Sequence, residues 1–498
     1  MYTNLQRKGA NMAYISGIDR NQLTLFPDCI DDYISQDSIA RVIDAYVDTL
    51  NFTEMGFTNT VGVRPGAPSY HPASMTKLYI YGYTNGVRSS RKLRRQTQIN
   101  VEVMWLMGKL QPDHWTISNF RKENRINLKY IFKDFSDFCN DLGLYGKELV
   151  AIDGSKFKAN NSKKNNYSQK KLDRKIKDLD EKIEKYFKDL DLYDSIDEEE
   201  ITHSPKEIQE KIEQLKKRKK KYKNIEQELK DSGQTQISTV DPDSRLMENK
   251  KNGLEMAYNV QTVVDSKHKL IAGFEVTQNP SDQGNLNSMS QKAKEAFGLD
   301  EKGELEVLAD KGYYNAEDLI ECDLNNTITY VTKQTYANAT KDKDFYIDKF
   351  KYDKNKDVYI CPAGHELKKV NHRKKDLDKF KYKNTQACNK CEFKSRCTTA
   401  KTGRIVTRVK EQDFLDTIDS RTQENMDKYL QRQEIVEHPF GTIKRTMNAE
   451  YYLCRGIESV EGETSLALLA YNFKRVITIF GVEELMRKIS QLRPSFSC

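Results

Sequence analysis

The chain has 498 residues, a formal charge of +8 and 31% charged residues, which is length for about three domains with ample core. Nine cysteines make a poor disulfide framework at this size, and four of them fall between Cys361 and Cys397, which points to metal in a reducing compartment and away from secretion. The late apolar run from Leu466 to Phe480 is broken by Asn472, Lys474 and Arg475, and no Gly-x4-Gly-Lys-Ser/Thr loop occurs, so membrane-spanning and ATP-driven readings lose their support.

The first residues, MYTNLQRKGANMAYISG, lack the apolar core of a signal peptide, so a cytoplasmic protein is expected, with Met12 an alternative start. Residues 21 to 51 begin with an extended apolar piece and continue into a helix, because Ile39, Val42, Ile43, Tyr46, Val47 and Leu50 recur at helical spacing. A second helix follows Tyr70-His-Pro-Ala-Ser, and an apolar one lies around Val101 to Met107. Asp113 to Arg121 reads as a turn into another helix, with Thr116 or Ser118 as its cap. From 77 to 130 there are eleven Lys and Arg against three Asp and Glu, a local excess as large as the net charge of the whole chain. Arg88, Arg91, Arg94, Arg95 and Arg121 are therefore candidates for gripping DNA backbone, where each phosphate contact releases counterions. A solvated basic helix face is the plainer alternative.

Glu148-Leu-Val-Ala-Ile-Asp153 is a short apolar run that reads as a strand delivering a carboxylate at its end. Between 170 and 231, Leu172, Ile176, Leu179, Ile183, Tyr186 and Leu190 recur at spacings of four and three, as do Ile208, Ile212, Leu215, Lys219, Tyr222 and Leu229 with one gap. With a Ser204-Pro205-Lys-Glu207 capping box between them, an antiparallel helical hairpin with a coiled-coil-like seam is predicted, and it carries no catalytic role. A polar stretch with Asp241-Pro-Asp243-Ser-Arg245 follows, then a strand hairpin (257 to 264 and 270 to 277) turning at Asp265-Ser-Lys-His. A helix near 285 to 297 leads to Leu305-Glu-Val-Leu-Ala-Asp310, a second apolar strand ending in aspartate, with Gly312 at a sharp exit. A helix over 316 to 322 and a strand at 328 to 332 come next.

The lysine-rich segment from 340 to 410 holds Cys361, the pair Cys388 and Cys391, and Cys397. Four thiolates suit tetrahedral Zn²⁺, and the C-x-x-C pair provides two ligands from one knuckle; His365 is an alternative ligand, and free thiols are the plain reading. The stretch from Tyr429 to Lys444 then forms a helix on which Tyr429, Glu437, Phe440 and Lys444 fall within about 80° of one another. Pro439 inside it predicts a kink.

Asp153, Asp310 and Glu437 make a candidate catalytic triad. Clustered carboxylates repel unless divalent cations neutralise them, and hard oxygen ligands select Mg²⁺ or Mn²⁺. Two such ions would serve phosphodiester cleavage, with Tyr429, Arg432 and Lys444 holding DNA phosphates. Acidic residues at strand ends and on helices are common, so the three alone do not define a site.

The chain resembles the DDE transposases of bacterial insertion sequences, in the branch with a YREK-like helix. The resemblance rests on YHPASMTKLYIYGY, RSSRKLRRQ, PDHWTISNFR, AIDGSKFKAN, LADKGYYN, the CPAG to CNKC segment, VEHPFGTIK and LLAYNFKR. It implies an α+β multidomain fold: an all-helical N-terminal DNA-binding domain (1–140), an RNase H-like mixed α/β catalytic core (147–165, 234–335 and, with the glutamate-bearing helix, 410–498), an inserted helical coiled-coil hairpin (166–233) and a zinc-ribbon-like cysteine insertion (340–405). By matching motif positions it assigns Asp153, Asp310 and Glu437 as Mg²⁺ ligands. The interval from Arg432 to Glu437 is one residue longer than the usual signature, which leaves Glu434 as a rival; Glu434 lies about 60° beyond Glu437, away from Tyr429 and Lys444. In relatives that cleave through a DNA hairpin an aromatic residue holds a flipped base; both tryptophans lie in the N-terminal domain, so a tyrosine such as Tyr313 would serve. The expected activity is binding of terminal inverted repeats, metal-dependent cleavage and 3′-OH strand transfer into target DNA, by a homodimer in a bacterial nucleoid-associated setting with no membrane. A nuclease without strand transfer and a non-catalytic DNA-binding descendant are the alternatives.

Overall fold

The computed structural model describes residues 29–60, 69–193, 205–249, 253–300, 303–333, 338–370 and 379–493. Met12, the extended piece before residue 29 and Ser204 of the capping box lie outside them. Six helices come first: α1 (Ile39–Val47), α2 (Pro72–Thr84), α3 (Ser90–Ile99), α4 (Val101–Leu106), α5 (His114–Glu123) and α6 (Leu128–Asp141). α1 buries Val42, Ile43, Tyr46 and Val47, the stripe its periodicity predicts. α5 begins one turn earlier than expected: the Asp113 carboxylate accepts the Thr116 N–H at 2.8 Å, so Asp113 is the cap and Thr116 and Ser118 sit inside the helix.

Strand β1 (Leu149–Lys158) follows, then β2 (Asn166–Ser168), which pairs with β3 (Gln236–Ser238) at the root of two long helices, α7 (Gln169–Tyr193) and α8 (Pro205–Ser232). Leu172, Leu179, Ile208, Ile212, Ile225 and Leu229 are buried in this hairpin. The chain continues through β4 (Arg245–Asn249), β5 (Gly253–Asp265), β6 (Ile271–Thr277), α9 (Leu286–Phe297), β7 (Leu305–Ala309), α10 (Ala316–Leu324) and β8 (Thr327–Val331). The main sheet runs β4-β5-β1-β7-β8, and β5 is long enough to pair β4 along its first half and β6 along its second. β1 is antiparallel to β5 and parallel to β7, and β7 is parallel to β8. The apolar run Leu149–Ile152 and the largely apolar Leu305–Ala309, interrupted by Glu306, become the sheet's central strands.

A second, five-stranded antiparallel sheet holds β9 (Lys351–Asp353), β10 (Val358–Ile360), β11 (Glu366–Val370), β12 (Lys379–Lys383) and β13 (Ile405–Val409), with short helices α11 (Thr385–Lys390) and α12 (Lys394–Cys397) between the last two. The chain ends in α13 (Gln412–Glu424), α14 (Met426–Gly441), α15 (Ile457–Phe480) and α16 (Val482–Leu492). α9 lies against β5 and β6, and α14 against β1.

The N-terminal helices do not close a core among themselves. Phe135 of α6 stacks on Phe473 of α15 with ring centres 4.4 Å apart, and Tyr46 of α1 meets both edge-on. One continuous apolar cluster therefore runs from α1 through α15 to the central strands. No single helix among the described residues is long and apolar enough to cross a membrane, and α15, which holds the late apolar run, is core.

Candidate active site

Parallel pairing sets Ile152 opposite Ala309, so the next residues of the two strands, Asp153 and Asp310, come side by side. Asp153 sits in mid-strand, not at the strand end that the sequence pattern suggested. Its Oδ1 accepts the Gly154 N–H at 2.9 Å, whereas Asp310 caps a single turn, Lys311–Tyr313, and accepts the Gly312 N–H at 2.6 Å. Burial pushes the Asp153 carboxyl up to about 6; Arg432 pulls it down, and Asp310 and Asp282 push it further up.

Asp282 was not singled out from the sequence. It lies in the loop between β6 and α9, and no local periodicity marks it. Its Oδ1 accepts three bonds: from Asn259 Nδ2 at 2.8 Å, Gln261 Nε2 at 2.8 Å and Lys156 Nζ at 3.2 Å. Strand alternation explains the grouping. Gly154 opposite Gln261 and Lys156 opposite Asn259 present one face of the sheet, while Asp153, opposite Thr262, presents the other. Gly154 is required here, because a Cβ at that position would lie 2.5 Å from Asp282 Oδ1 and collide with the Gln261 amide. Gln261 in turn accepts the hydroxyl proton of Tyr313, a fully buried tyrosine at the end of the turn that Asp310 caps. The expectation that Tyr313 would be available to hold a base does not match this placement.

α14 turns Ile435, Val436, Pro439 and Phe440 inward, with the Phe440 ring centre 6.2 Å from that of Phe157 on β1. Arg432 lies close enough to Asp153 to lower its carboxyl, and its Nε is buried without a partner. Tyr429 shares a hydroxyl contact of 3.0 Å with Thr332. Pro439 does not end the helix. With no N–H to return to Ile435, the helix continues to Gly441 and then widens into a π-helical turn, Thr442–Thr446. That turn carries Lys444 down onto β1, where Nζ donates to Ser155 Oγ and Lys156 O, both at 2.7 Å, and burial pulls its pKa down to about 8.

Glu437 stands apart from this inward face. It is exposed and accepts from Gln433 Nε2 at 2.9 Å; no hydrogen bond or ion pair joins it to either aspartate among the described residues. The inward stripe is centred between Val436 and Pro439, about 120° round the helix from Glu437. Glu434 is also exposed and pairs with Lys269.

Of the basic residues expected on DNA, Arg91, Arg94 and Arg95 project from α3 into solvent while Leu93 and Thr97 face inward. Arg88 and Arg121 differ. Arg88 is 4% exposed and its Nη1 donates to Glu463 at 3.0 Å and to Tyr451 O at 2.8 Å, and Arg121 is buried over the Tyr79 ring. Their charges serve the interior, because partners distant in sequence meet them there.

Cys361, Cys388, Cys391, Cys397 and His365 line one small pocket between β10, β11 and the short helices. The His365 N–H donates to Cys361 Sγ at 3.3 Å, and burial raises the Cys397 thiol. Among the described residues, no group of three or more Cys, His, Asp or Glu side chains is arranged to hold a metal ion.

Comparison with known families gives two matches. Residues 28–123, spanning α1 to α5, match a Transposase domain (DUF772), and residues 360–477 match a Transposase DDE domain. The second covers the cysteine pocket, α14 and most of α15; Asp153 and Asp310 lie in the stretch between the two matches. No curated protein matches the chain.

Proposed function

From a chain that carries both a transposase domain and a transposase DDE domain, we infer an insertion-sequence transposase that binds terminal inverted repeats, cleaves DNA with divalent cations and transfers the 3′-OH end into target DNA. The observation that carries this reading is the position of Asp153 and Asp310, each one residue beyond the parallel pair Ile152 and Ala309. The central order supports an RNase H-like core: β6-β5-β1-β7-β8, with the first three antiparallel and the last three parallel. The hairpin of α7 and α8 would be its insertion, and Glu437 on α14, inside the stretch that matches the DDE domain, is the acidic residue that the resemblance assigns.

Asp153 and Asp310 offer the donor chemistry of Mg²⁺ or Mn²⁺, although no third ligating side chain is gathered with them among the described residues. Asp153 is half-buried beside another carboxylate, and hard oxygens are the donors such ions take. A Cβ on Gly312 would lie 2.7 Å from Asp310 Oδ1 and 3.6 Å from Asp282 Oδ2, so a glycine keeps space open between two carboxylates. Asp153 and Asp310 would hold the ions, which when bound would activate the attacking oxygen and stabilise the leaving one, while Glu437, the third ligand that the resemblance assigns, is exposed and faces away from them. Arg432 and Lys444 flank Asp153 as the cations that would hold phosphate on this side. The four cysteines that line one pocket are soft donors of the kind a structural Zn²⁺ takes, apart from the chemistry, although they are not gathered around one point in this structure. Arg91, Arg94 and Arg95 are the N-terminal DNA contacts, and cleavage of two ends together calls for a homodimer.

The test is cleavage of a labelled duplex ending in the element's own inverted repeat. Wild type is expected to nick and join in Mg²⁺, and Asp153→Asn and Asp310→Asn to do neither. Cleavage that survives Asp153→Asn overturns the reading, and cleavage without joining replaces it with a nuclease.

A further inference from the structure

The hairpin of α7 and α8 carries a block of charge that its own packing does not use. Lys216-Lys-Arg-Lys-Lys-Lys-Tyr-Lys223 places seven cations in eight residues of α8, and no Asp or Glu occurs from Gln214 to Ile225. We propose that this block is a second DNA-contact surface, which grips the phosphate backbone of a duplex bound at the main sheet; this rests on the reading of the chain as a protein that acts on DNA.

A solvated helix face normally alternates in sign, so that side chains three and four apart attract one another. α7 does this: Lys177 pairs with Glu181 at 3.8 Å and Lys188 with Glu184 at 3.1 Å. The first turns of α8 are mixed in the same way, with Lys206, Glu207, Glu210, Lys211 and Glu213. Within the block the sign never changes. Lys219 pairs with Asp180 of α7, and the Lys216 ammonium lies 5.2 Å from the Phe187 ring centre. Lys217, Arg218, Lys220, Lys221 and Lys223 are exposed and make no ion pair among the described residues. Lys216 and Lys220 are like charges four apart, as are Lys217 and Lys221, and such pairs weaken an isolated helix. The stability of the hairpin therefore does not ask for this block.

Its placement suits a duplex. Ile208, Ile212, Ile225 and Leu229 turn one side of α8 inward, and Lys217, Lys220 and Lys221 fall within about 100° of one another on the opposite side. The stretch from Lys216 to Lys221 rises about 8 Å, and with the reach of lysine side chains it spans a few phosphates. Lysine ammoniums hold phosphate as point charges and read no bases. The block also reaches the root of the hairpin. Tyr222, within it, meets Tyr167 of β2 with ring centres 5.8 Å apart, and Lys175 Nζ lies 5.3 Å from the Tyr222 ring centre. That root is tied to the main sheet: Ala159, directly after β1, donates its N–H to Met256 O of β5 at 2.8 Å, and Asn161 Nδ2 donates to Ser238 Oγ of β3 at 2.7 Å. Exposed Lys163, Lys164, Lys170 and Arg174 add positive charge at the same root, next in the chain to the strand that carries Asp153.

The experiment is binding of the purified full-length chain to a labelled duplex of the element's inverted repeat and to a scrambled duplex of equal length, read by fluorescence anisotropy across a salt series. The triple variant Lys217→Gln, Lys220→Gln, Lys221→Gln is expected to lower the slope of log affinity against log salt by about 2–3, from about 0.9 for each lysine, and equally on both duplexes. Glutamine forms helix about as well as lysine, so the melting temperature is expected to stay at the wild-type value or rise. Removing the same charge from α7, by Lys177→Gln, Lys182→Gln and Lys188→Gln, is expected to leave the slope unchanged. An α8 variant that keeps the wild-type slope overturns the proposal alone, and a fall shared equally by the α7 variant assigns the effect to net charge and overturns it as well. An α8 variant that loses self-association in sedimentation while its slope holds makes the block a contact between copies of the chain, which also overturns the proposal. Should the triple variant melt far below wild type, Lys220→Gln alone decides: its slope falls by about 0.9, and an unchanged slope overturns the proposal. Wild-type protein that binds neither duplex brings down the DNA reading itself and the proposal with it.

Discussion

Asp153 and Asp310 stand side by side because Ile152 and Ala309 are register partners in the parallel pair of β1 and β7. The sheet brings both to one place; Asp310 is held in addition by its own turn, where it accepts the Gly312 N–H. The cost of that arrangement is electrostatic, and it can be measured in the metal-free protein. The Asp153 carboxyl is pushed up to about 6 from an ordinary 3.8, first by burial and then by Asp310 and Asp282. A raised carboxyl contributes stability below pH 4 that is lost as pH rises through 6, so at pH 7.5 its ionisation costs the fold about 2–3 kcal/mol. Asp153→Asn is therefore expected to unfold at higher denaturant concentration than wild type at pH 7.5, with the advantage vanishing below pH 4. Equal midpoints at both pH values would contradict the account.

The α3 arginines give a prediction of the opposite kind. Arg91, Arg94 and Arg95 are exposed and carry no ion pair among the described residues, so replacing them with Ala should barely move stability. If they contact phosphates, each loss lowers the slope of log affinity against log salt by about 0.9, uniformly across DNA sequences. Titrations of the triple variant between low and moderate salt measure this directly. An unchanged slope would assign the basic stretch to solvation.

Arg88 belongs to the same stretch of sequence but not to the same role. Its guanidinium and the Glu463 carboxylate are 4% and 1% exposed, and Glu463 also accepts the N–H groups of Leu453 and Cys454. Removing either partner strands a buried charge, and Arg88→Ala should lose about 3–5 kcal/mol. Arg88→Ala with Glu463→Gln should cost less than the two changes summed. A loss of DNA affinity with stability intact would instead return Arg88 to the DNA-binding set.

These cases show where the sequence was readable. β1, β7, β8, the strand hairpin of β5 and β6, and the pair α7 and α8 were legible because each is a run of residues with one dominant period. The register that joins Asp153 to Asp310 is a property of two strands about 150 residues apart, so the sequence showed the two strands but not their meeting. Asp282 lies in a loop where Asn, Pro, Ser, Asp and Gly read only as a turn, and its role emerges from three partners on two strands. Charge was the least legible property. Arg88 and Arg94 look alike in sequence, and what separates them is Glu463, 375 residues from Arg88. On α14, an ideal 100° step grouped Glu437 with Lys444, but the π turn after Gly441 breaks that phase, and the inward face belongs to Val436 and Pro439.

Gly462 tests how firmly the N-terminal helices are docked on α15. In an exposed helix, Gly to Ala stabilises by about 1 kcal/mol, because alanine has less backbone freedom to lose. Here the sign should reverse. A Cβ on Gly462 would come within 2.5 Å of the Arg125 carbonyl oxygen, and that oxygen is backbone, with no rotamer to turn away. Arg125 is also tied to α15 by its own ion pair, Nε to Glu458 at 2.8 Å, so the segment between α5 and α6 is held against the helix at two points. Gly462→Ala is expected to destabilise the protein by about 1–3 kcal/mol, the usual cost of overpacking a tight contact. Arg125→Ala, which keeps the carbonyl and removes an exposed pair, should cost under about 1 kcal/mol. Thermal melts of the two variants separate backbone packing from the ion pair: a stabilised Gly462→Ala protein would mean that the segment between α5 and α6 does not touch α15 at this point.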